Sequence, residues 1–183
     1  SKFNGKSVDI RVHPAMIPQS HPMANVNGVL NAVRVCDNLM DENVLIGHGA
    51  GSLPTGSAVV ADIVEIARDI LSGSKCRIPS QSFQKNEVKA IPIMNIEEID
   101  SEYFLRFSVL DIPGVLSRIS GILGIHSIGI HSVIQKGRCD QGSGVPLIMM
   151  THRANEKNVQ LALQKIDDLD VVCEKSNFIR VES

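Results

Sequence analysis

Tryptophan is absent, tyrosine occurs once and phenylalanine five times in 183 residues. So few aromatics offer no platform on which bases could stack, and a net charge of −2 supplies no basic surface, so nucleic acid is not expected as a partner. No apolar run approaches the length of a bilayer span and no signal-peptide pattern is present, which leaves no reason to expect a membrane or export. Cys36, Cys76, Cys139 and Cys173 are scattered without a C-x-x-C pair, which argues against a zinc ribbon or redox motif and for reduced thiols in a cytoplasmic protein. His13 and His21 are each followed by proline, and His126 and His131 straddle a helix end and a strand. Neither pair has the spacing that sets two ligands on one regular element, so no metal is expected. Also missing is a strand followed by Gly-x-Gly-x-x-Gly, the fingerprint of a dinucleotide-binding domain.

What is present is ordinary globular material, 43% hydrophobic and 21% charged, enough for one or two small domains. Its most informative stretch runs from Gly47 to Arg68. Gly47, Gly49 and Gly51 form a turn in which a backbone can approach another group closely, and a strongly apolar helix follows. Pro54 and Thr55 or Ser57 are candidates for the helix entrance, where free N–H groups could face a phosphate, a ring or a carboxylate. A tight turn before a core helix is the plainer reading of the same residues.

Along the chain, residues 8–13 alternate as a short strand, and Pro14, Pro18 and Pro22 then force an extended connection without helix. Asn25 to Val35 reads as a strand interrupted at Gly28, and a short strand near Val44 to Gly47 delivers the glycine turn. A helix from about Thr55 to Leu71 carries an apolar stripe of Val59, Ile63, Ile66 and Ile70, with Gly73 as its C-cap. Residues 73–100 read as a linker with an edge segment near Ile91–Ile93. Beyond it, Tyr103–Leu110 alternates as a strand, and Val115, Leu116, Ile119, Ile122 and Leu123 repeat with helical period. Ile128–Gln135 and Val145–Thr151 are strands joined by a glycine-rich turn over Gly137–Gly144. Asn155 caps a helix with inner face Val159, Ala162, Leu163 and Ile166, and Val171–Val181 is the last strand. The order βαββαβ is the ferredoxin-like split unit, and fold order alone leaves function open.

Three blocks narrow it. Arg11-Val12-His13-Pro14, Ile17-Pro18, His21-Pro22-Met23-Ala24 and Val26 to Val33, followed by Gly47 to Arg68, resemble the C-terminal signature of homoserine dehydrogenases. Leu110-Asp111-Ile112-Pro113-Gly114-Val115 through Ile119, and Ser132 to Lys136, resemble the regulatory ACT domain that many bacterial members carry. The resemblance covers nearly the whole chain, in the family's order. It implies an α+β fold: a β-strand dimerisation region with one long helix over 1–72, a linker over 73–100, and a ferredoxin-like βαββαβ ACT domain over 101–183.

The implied activity is that of the parent enzyme, NAD(P)-dependent interconversion of L-homoserine and L-aspartate 4-semialdehyde. The family's Rossmann domain and its proton-transfer lysine lie N-terminal to the Arg11 block, so no catalytic residue is assigned here. A chain that opens on Ser1 suits a cut fragment, expected to be inactive and to bind no cofactor alone. Gly51, with Gly49 and Ala50, matches the turn that the family sets against NAD(P). Asp111, Ile112, Pro113, Gly114 and Val115 occupy the position where ACT domains bind small amino-acid effectors. The helix end there could take an α-carboxylate and Asp111 an α-ammonium, with threonine the expected ligand; alternatively Asp111 merely caps the helix. The resemblance further implies a homo-oligomer, dimer or tetramer. The alternatives are a freestanding ACT-type sensor without catalysis and another ACT-bearing enzyme such as an aspartate kinase, whose kinase motifs are absent.

Overall fold

The computed structural model describes residues 2–74, 85–135 and 144–182. In chain order its strands and helices are β1 (Lys2–Phe3), β2 (Val8–Asp9), β3 (Ala15–Met16), β4 (Leu30–Asp37), β5 (Asp41–His48), α1 (Ser52–Leu71), β6 (Asp100–Val109), α2 (Val115–Ile125), β7 (Ile130–Gln135), β8 (Val145–Thr151), β9 (Ala154–Asn155), α3 (Glu156–Asp167) and β10 (Val172–Val181). They gather into two compact units, one of residues 1–17 with 91–183 and one of residues 18–90. The turn expected at Gly137–Gly144, like Cys76 and Cys139, falls largely or wholly outside the described residues.

The first unit is built on a sheet of order β3-β10-β6-β8-β7, with β9 pairing the start of β6. β10, β6, β8 and β7 are joined antiparallel, the arrangement of a ferredoxin-like βαββαβ domain. Alternation decides its inner face: Tyr103, Leu105, Phe107 and Val109 of β6 are buried beside Leu147 and Met149 of β8. α2 covers them with Val115, Ile119 and Leu123, and α3 with Val159, Ala162, Leu163 and Ile166. The inner face foreseen for α3 is the observed one. On α2, Leu116 points outward instead, because the buried stripe runs at intervals of four residues.

Asn155 stands at the N-cap of α3, yet its side chain does not bond the helix backbone; Nδ2 donates to Asp100 Oδ1 at 3.4 Å. The neighbouring Glu156 is only 2% exposed and lies inside the core. Its carboxylate accepts from Tyr103 Oη–H (2.7 Å), Arg180 Nε (2.8 Å), Arg180 Nη2 (2.6 Å) and Gln160 Nε2 (2.8 Å). Burial alone would raise the Glu156 carboxyl, but the Arg180, Gln160 and Tyr103 hydrogen bonds and the guanidinium charge together hold it below the usual range. Burial and the hydrogen bond to Glu156 push the Tyr103 phenol above its ordinary value.

These directions fix a pH profile. Glu156 contributes stability above its unfolded pKa, lost as pH falls through the depressed folded value. Tyr103 contributes stability below its unfolded pKa near 10, lost as pH rises from there toward the raised folded value. Urea midpoints of the chain are therefore expected to plateau between about pH 5 and 9 and to fall on both sides. A Tyr103→Phe variant should lose the alkaline limb and keep the acid one.

Residues 1–17 pack with this unit. β1 pairs antiparallel with β2, Val8 bridges to Ile93, and β3 runs parallel to the end of β10, Ala15 beside Arg180 and Met16 beside Val181. Regular strand over 8–13 stops at Asp9, since Val12 is fully exposed and has no partner strand. The expectation that the proline-rich stretch excludes helix also needs correcting. Pro22–Asn25 is a short 3-10 turn, opened by proline at its start and capped by His21 Nδ1 accepting from Met23 N–H at 3.2 Å.

In the second unit β4 and β5 form one antiparallel ribbon from Leu30↔His48 to Asp37↔Asp41. The strand begins at Leu30 rather than near Asn25, because Asn27-Gly28 makes a turn: Gly28 has φ +66° and Leu30 N–H donates to Asn27 C=O at 3.3 Å. At the ribbon's tip Asp37 Oδ1 accepts from the Leu39 and Met40 amides at 2.6 and 2.8 Å, and Asp41 closes the three-residue loop with φ +55°. Those two backbone bonds, Met40 the larger, lower the Asp37 carboxyl. α1 ends in a Schellman closure, Gly73 (φ +67°) donating to Ile70 C=O and Ser74 to Asp69 C=O.

Candidate functional sites

Two turns in the described residues combine glycine geometry with an uncapped helix start. The first leads from β5 into α1. Gly51 is the N-cap, with φ +125° and ψ 142°, a conformation that L side chains rarely adopt. A Cβ at Gly49 would overlap the side chain of Asn31, and one at Gly51 would press on Pro54 at 3.2 Å. Neither glycine can be exchanged without displacing its surroundings. α1 begins at Ser52, three residues before the expected Thr55, so Thr55 and Ser57 are helical rather than caps. Pro54 is tolerated because it lies in the first turn, where an N–H has no partner within the helix. Thr55 N–H closes that turn on Gly51 C=O at 3.1 Å, and no side chain caps the entrance.

Behind this entrance α1 buries nothing. Val59, Ile63, Ile66 and Ile70 are all more than half exposed, as are Val33 of β4 and Leu45 and Ile46 of β5. The stripe expected from periodicity is on the helix, but within the described residues it has no core to face.

The second turn leads from β6 into α2. Leu110 N–H donates to Val171 C=O at 2.9 Å and Ile112 N–H to Leu110 C=O at 3.1 Å, which bends the chain sharply at Asp111. Pro113 does not start the helix: the N-cap is Gly114, left-handed at φ +93°, and Val115 is the first helical residue. Arg118 N–H takes Gly114 C=O at 3.0 Å, so the amides of Val115, Leu116 and Ser117 head an N-terminus without a side-chain cap. Capping is thus not the role of Asp111, which is exposed and among the described residues has neither a hydrogen bond nor an ion pair. Exposed apolar side chains flank the turn, Leu110, Ile112 and Leu116. A carboxylate beside a free helix N-terminus, rimmed by apolar groups, has the polarity needed to hold a small zwitterion.

Cys36 and Cys173 are exposed free thiols. Among the described residues no group of three or more histidine, cysteine, aspartate or glutamate side chains could hold a metal ion, and no helix is long and apolar enough to cross a membrane. Two clusters escaped the sequence reading. One is Tyr103–Glu156–Arg180, and the other is Glu182 with Lys2 and Arg11. No spacing rule pairs residues so far apart.

Comparison with known proteins places both turns in context. A family model described as homoserine dehydrogenase matches residues 1–64, and one described as ACT domain matches residues 103–171. Homoserine dehydrogenase of Neisseria gonorrhoeae is 42% identical over 183 residues, covering 100% of this chain and 42% of the relative. That of Pseudomonas aeruginosa is 40% identical over 174 residues, covering 95% and 40%. The crystal structure of a homoserine dehydrogenase from Thiobacillus denitrificans superposes with a TM-score of 0.84 at 39% identity, over 97% of this chain and 40% of that one. The chain therefore spans about two fifths of the length of the curated relatives it matches. With a dehydrogenase-family stretch followed by an ACT domain, it matches along its length the C-terminal part of homoserine dehydrogenases.

Proposed function

We propose that this chain is the assembly and sensing part of an enzyme that interconverts L-homoserine and L-aspartate 4-semialdehyde on the route to threonine, methionine and isoleucine. The observation that carries the sensing role is the turn at Asp111–Val115, where a carboxylate with no partner among the described residues stands beside the uncapped N-terminus of α2. A small amino acid fits this polarity, its α-carboxylate on the Val115 and Leu116 amides and its ammonium at Asp111, with Ile112, Pro113 and Gly114 shaping the turn. Threonine is the effector we assign. The match over residues 1–64 weighs against a freestanding sensor.

NAD(P), when bound to the enzyme, supplies or takes up the hydride. Gly49, Ala50 and Gly51 fit a supporting part: Gly51 keeps the backbone bare, and the amides at the start of α1 are free to face a phosphate or a ring. No dinucleotide fingerprint occurs in these 183 residues, so this turn would complete a site formed mainly by other residues of the enzyme. We place the protein in the cytoplasm, where thiols such as Cys36 and Cys173 stay reduced.

Sensing is tested by calorimetric titration with threonine, isoleucine, methionine and lysine. Asp111→Ala is expected to weaken threonine binding by about 10- to 150-fold, the loss of a charge-assisted bond of about 1.5–3 kcal/mol. No heat with any of the four at millimolar concentration, or an affinity indifferent to Asp111→Ala, would make the ACT domain a structural module. Assembly is tested by light scattering at micromolar concentration, since the exposed apolar faces of α1 and the β4–β5 ribbon call for a second chain. A dimer or larger species is expected, and a clean 19.9 kDa monomer would refute it.

A further inference from the structure

Residues 1–17 lie in the stretch matched by the dehydrogenase family, yet they pack on the ACT unit. Apolar burial does little to hold them there. Phe3, Ile10 and Val12 are all more than half exposed, and Met16 and Ile17 are exposed as well.

The attachment is polar, and much of it converges on Glu182, the residue after β10. Its backbone N–H donates to Met16 C=O at 2.8 Å, which continues the parallel pairing of β3 with β10. Its carboxylate takes Lys2 Nζ at 2.7 Å and Arg11 Nη2 at 3.3 Å. The same Arg11 nitrogen reaches Asp9 at 2.8 Å, and Asp9 is itself only 8% exposed. Further along, Val8 N–H donates to Pro92 C=O and Met94 N–H to Val8 C=O, both at 2.9 Å. Burial alone would raise the Glu182 carboxyl, but Lys2, then Arg11 and His13, hold it below its ordinary value, so it is ionised at neutral pH.

We propose that residues 1–17 form an electrostatic strap, latched by Glu182, which ties the dehydrogenase-family stretch to the edge of the ACT sheet and opens as a unit of its own while the ACT core stays folded. The physical ground is the contrast between its two sides. The core is held by apolar side chains with almost no exposure, whereas the strap is held by ion pairs and a few backbone bonds near solvent, the class of contact that opens first and that salt weakens. Removing the Glu182 carboxylate releases Lys2 and leaves the largely buried Arg11 guanidinium, whose Nη1 already has no acceptor among the described residues, with Asp9 alone.

Amide-resolved hydrogen exchange on the whole chain tests this, comparing the native sequence with Glu182→Ala and Glu182→Gln. The Val8, Met94 and residue 182 amides report the strap; the Leu105, Phe107 and Met149 amides, in the interior of the sheet, report the core. Both variants are expected to speed the three strap amides by about tenfold or more while leaving the core amides unchanged, since each loses hydrogen bonds to a charged group. Raising salt from 0.1 M to 1 M, which shortens the screening length from about 10 Å to about 3 Å, should speed the strap amides of the native chain in the same selective way. Strap amides that keep their rates in both variants overturn the proposal. So does a variant in which strap and core amides accelerate together, because Glu182 would then belong to the global fold and not to a separate latch.

Discussion

Arg180→Ala is expected to destabilise the ACT unit by about 3–5 kcal/mol, read as the loss in urea-unfolding free energy at pH 7. The size follows from what is left behind. Arg180 gives two of the four hydrogen bonds that the 2%-exposed Glu156 accepts, and it carries the compensating charge. Without it the carboxylate must bind a proton or draw in water, both at a cost in free energy. Arg180 also sits 5.4 Å from the Phe178 ring, so packing is lost together with charge. Tyr103→Phe, which removes one of the four bonds and leaves the ion pair, should cost less, about 1.5–3 kcal/mol. Equal costs for the two variants, or a loss below about 1 kcal/mol for Arg180→Ala, would mean that the cluster is hydrated and not a buried ion pair.

The second large effect is catalytic. Homoserine with NAD or NADP is expected to yield no NAD(P)H above a no-protein control, even at high concentration of this chain. A dehydrogenase must hold hydride donor, acceptor and proton-transfer group in a reactive arrangement, and such positioning is worth about 7–11 kcal/mol. The glycine turn at Gly49–Gly51 offers backbone amides but neither a dinucleotide fold nor a proton-transfer group. Turnover above the control would show that catalytic residues lie in this chain after all.

How far the sequence could be read depends on the range of the forces involved. In the ACT domain local pattern and tertiary structure agree: β8 falls on Val145–Thr151 as expected, and Val159, Ala162, Leu163 and Ile166 of α3 are all buried. Local chemistry was also sufficient at Gly73, a left-handed residue just past a helix. It was not sufficient where two short-range signals compete within a few residues. Asn27-Gly28 is a turn dipeptide set among β-branched residues, and the turn prevailed over the run. Proline favours first turns, yet the helix does not start at Pro113, because the left-handed Gly114 that follows makes the boundary.

The candidate sites divide in the same way. The turns at Gly49–Gly51 and Asp111–Val115 could be seen because each lies within a few consecutive residues. That the Asp111 carboxylate is free among the described residues, and not a cap, follows from tertiary geometry that no local pattern encodes. The Glu156–Arg180 ion pair joins residues 24 apart, and the Lys2–Glu182 pair residues 180 apart. Periodicity carries no information at those separations, and each charged residue taken singly reads as a solvated surface group.

The most direct test of the sensing account is amide exchange at the start of α2 with and without millimolar threonine. If the Asp111–Val115 turn holds the effector, the Val115 and Leu116 amides take its carboxylate and become protected, while Asp111→Ala largely abolishes that protection. Unchanged exchange at Val115 and Leu116 at saturating threonine, or protection that persists undiminished in Asp111→Ala, would contradict the account.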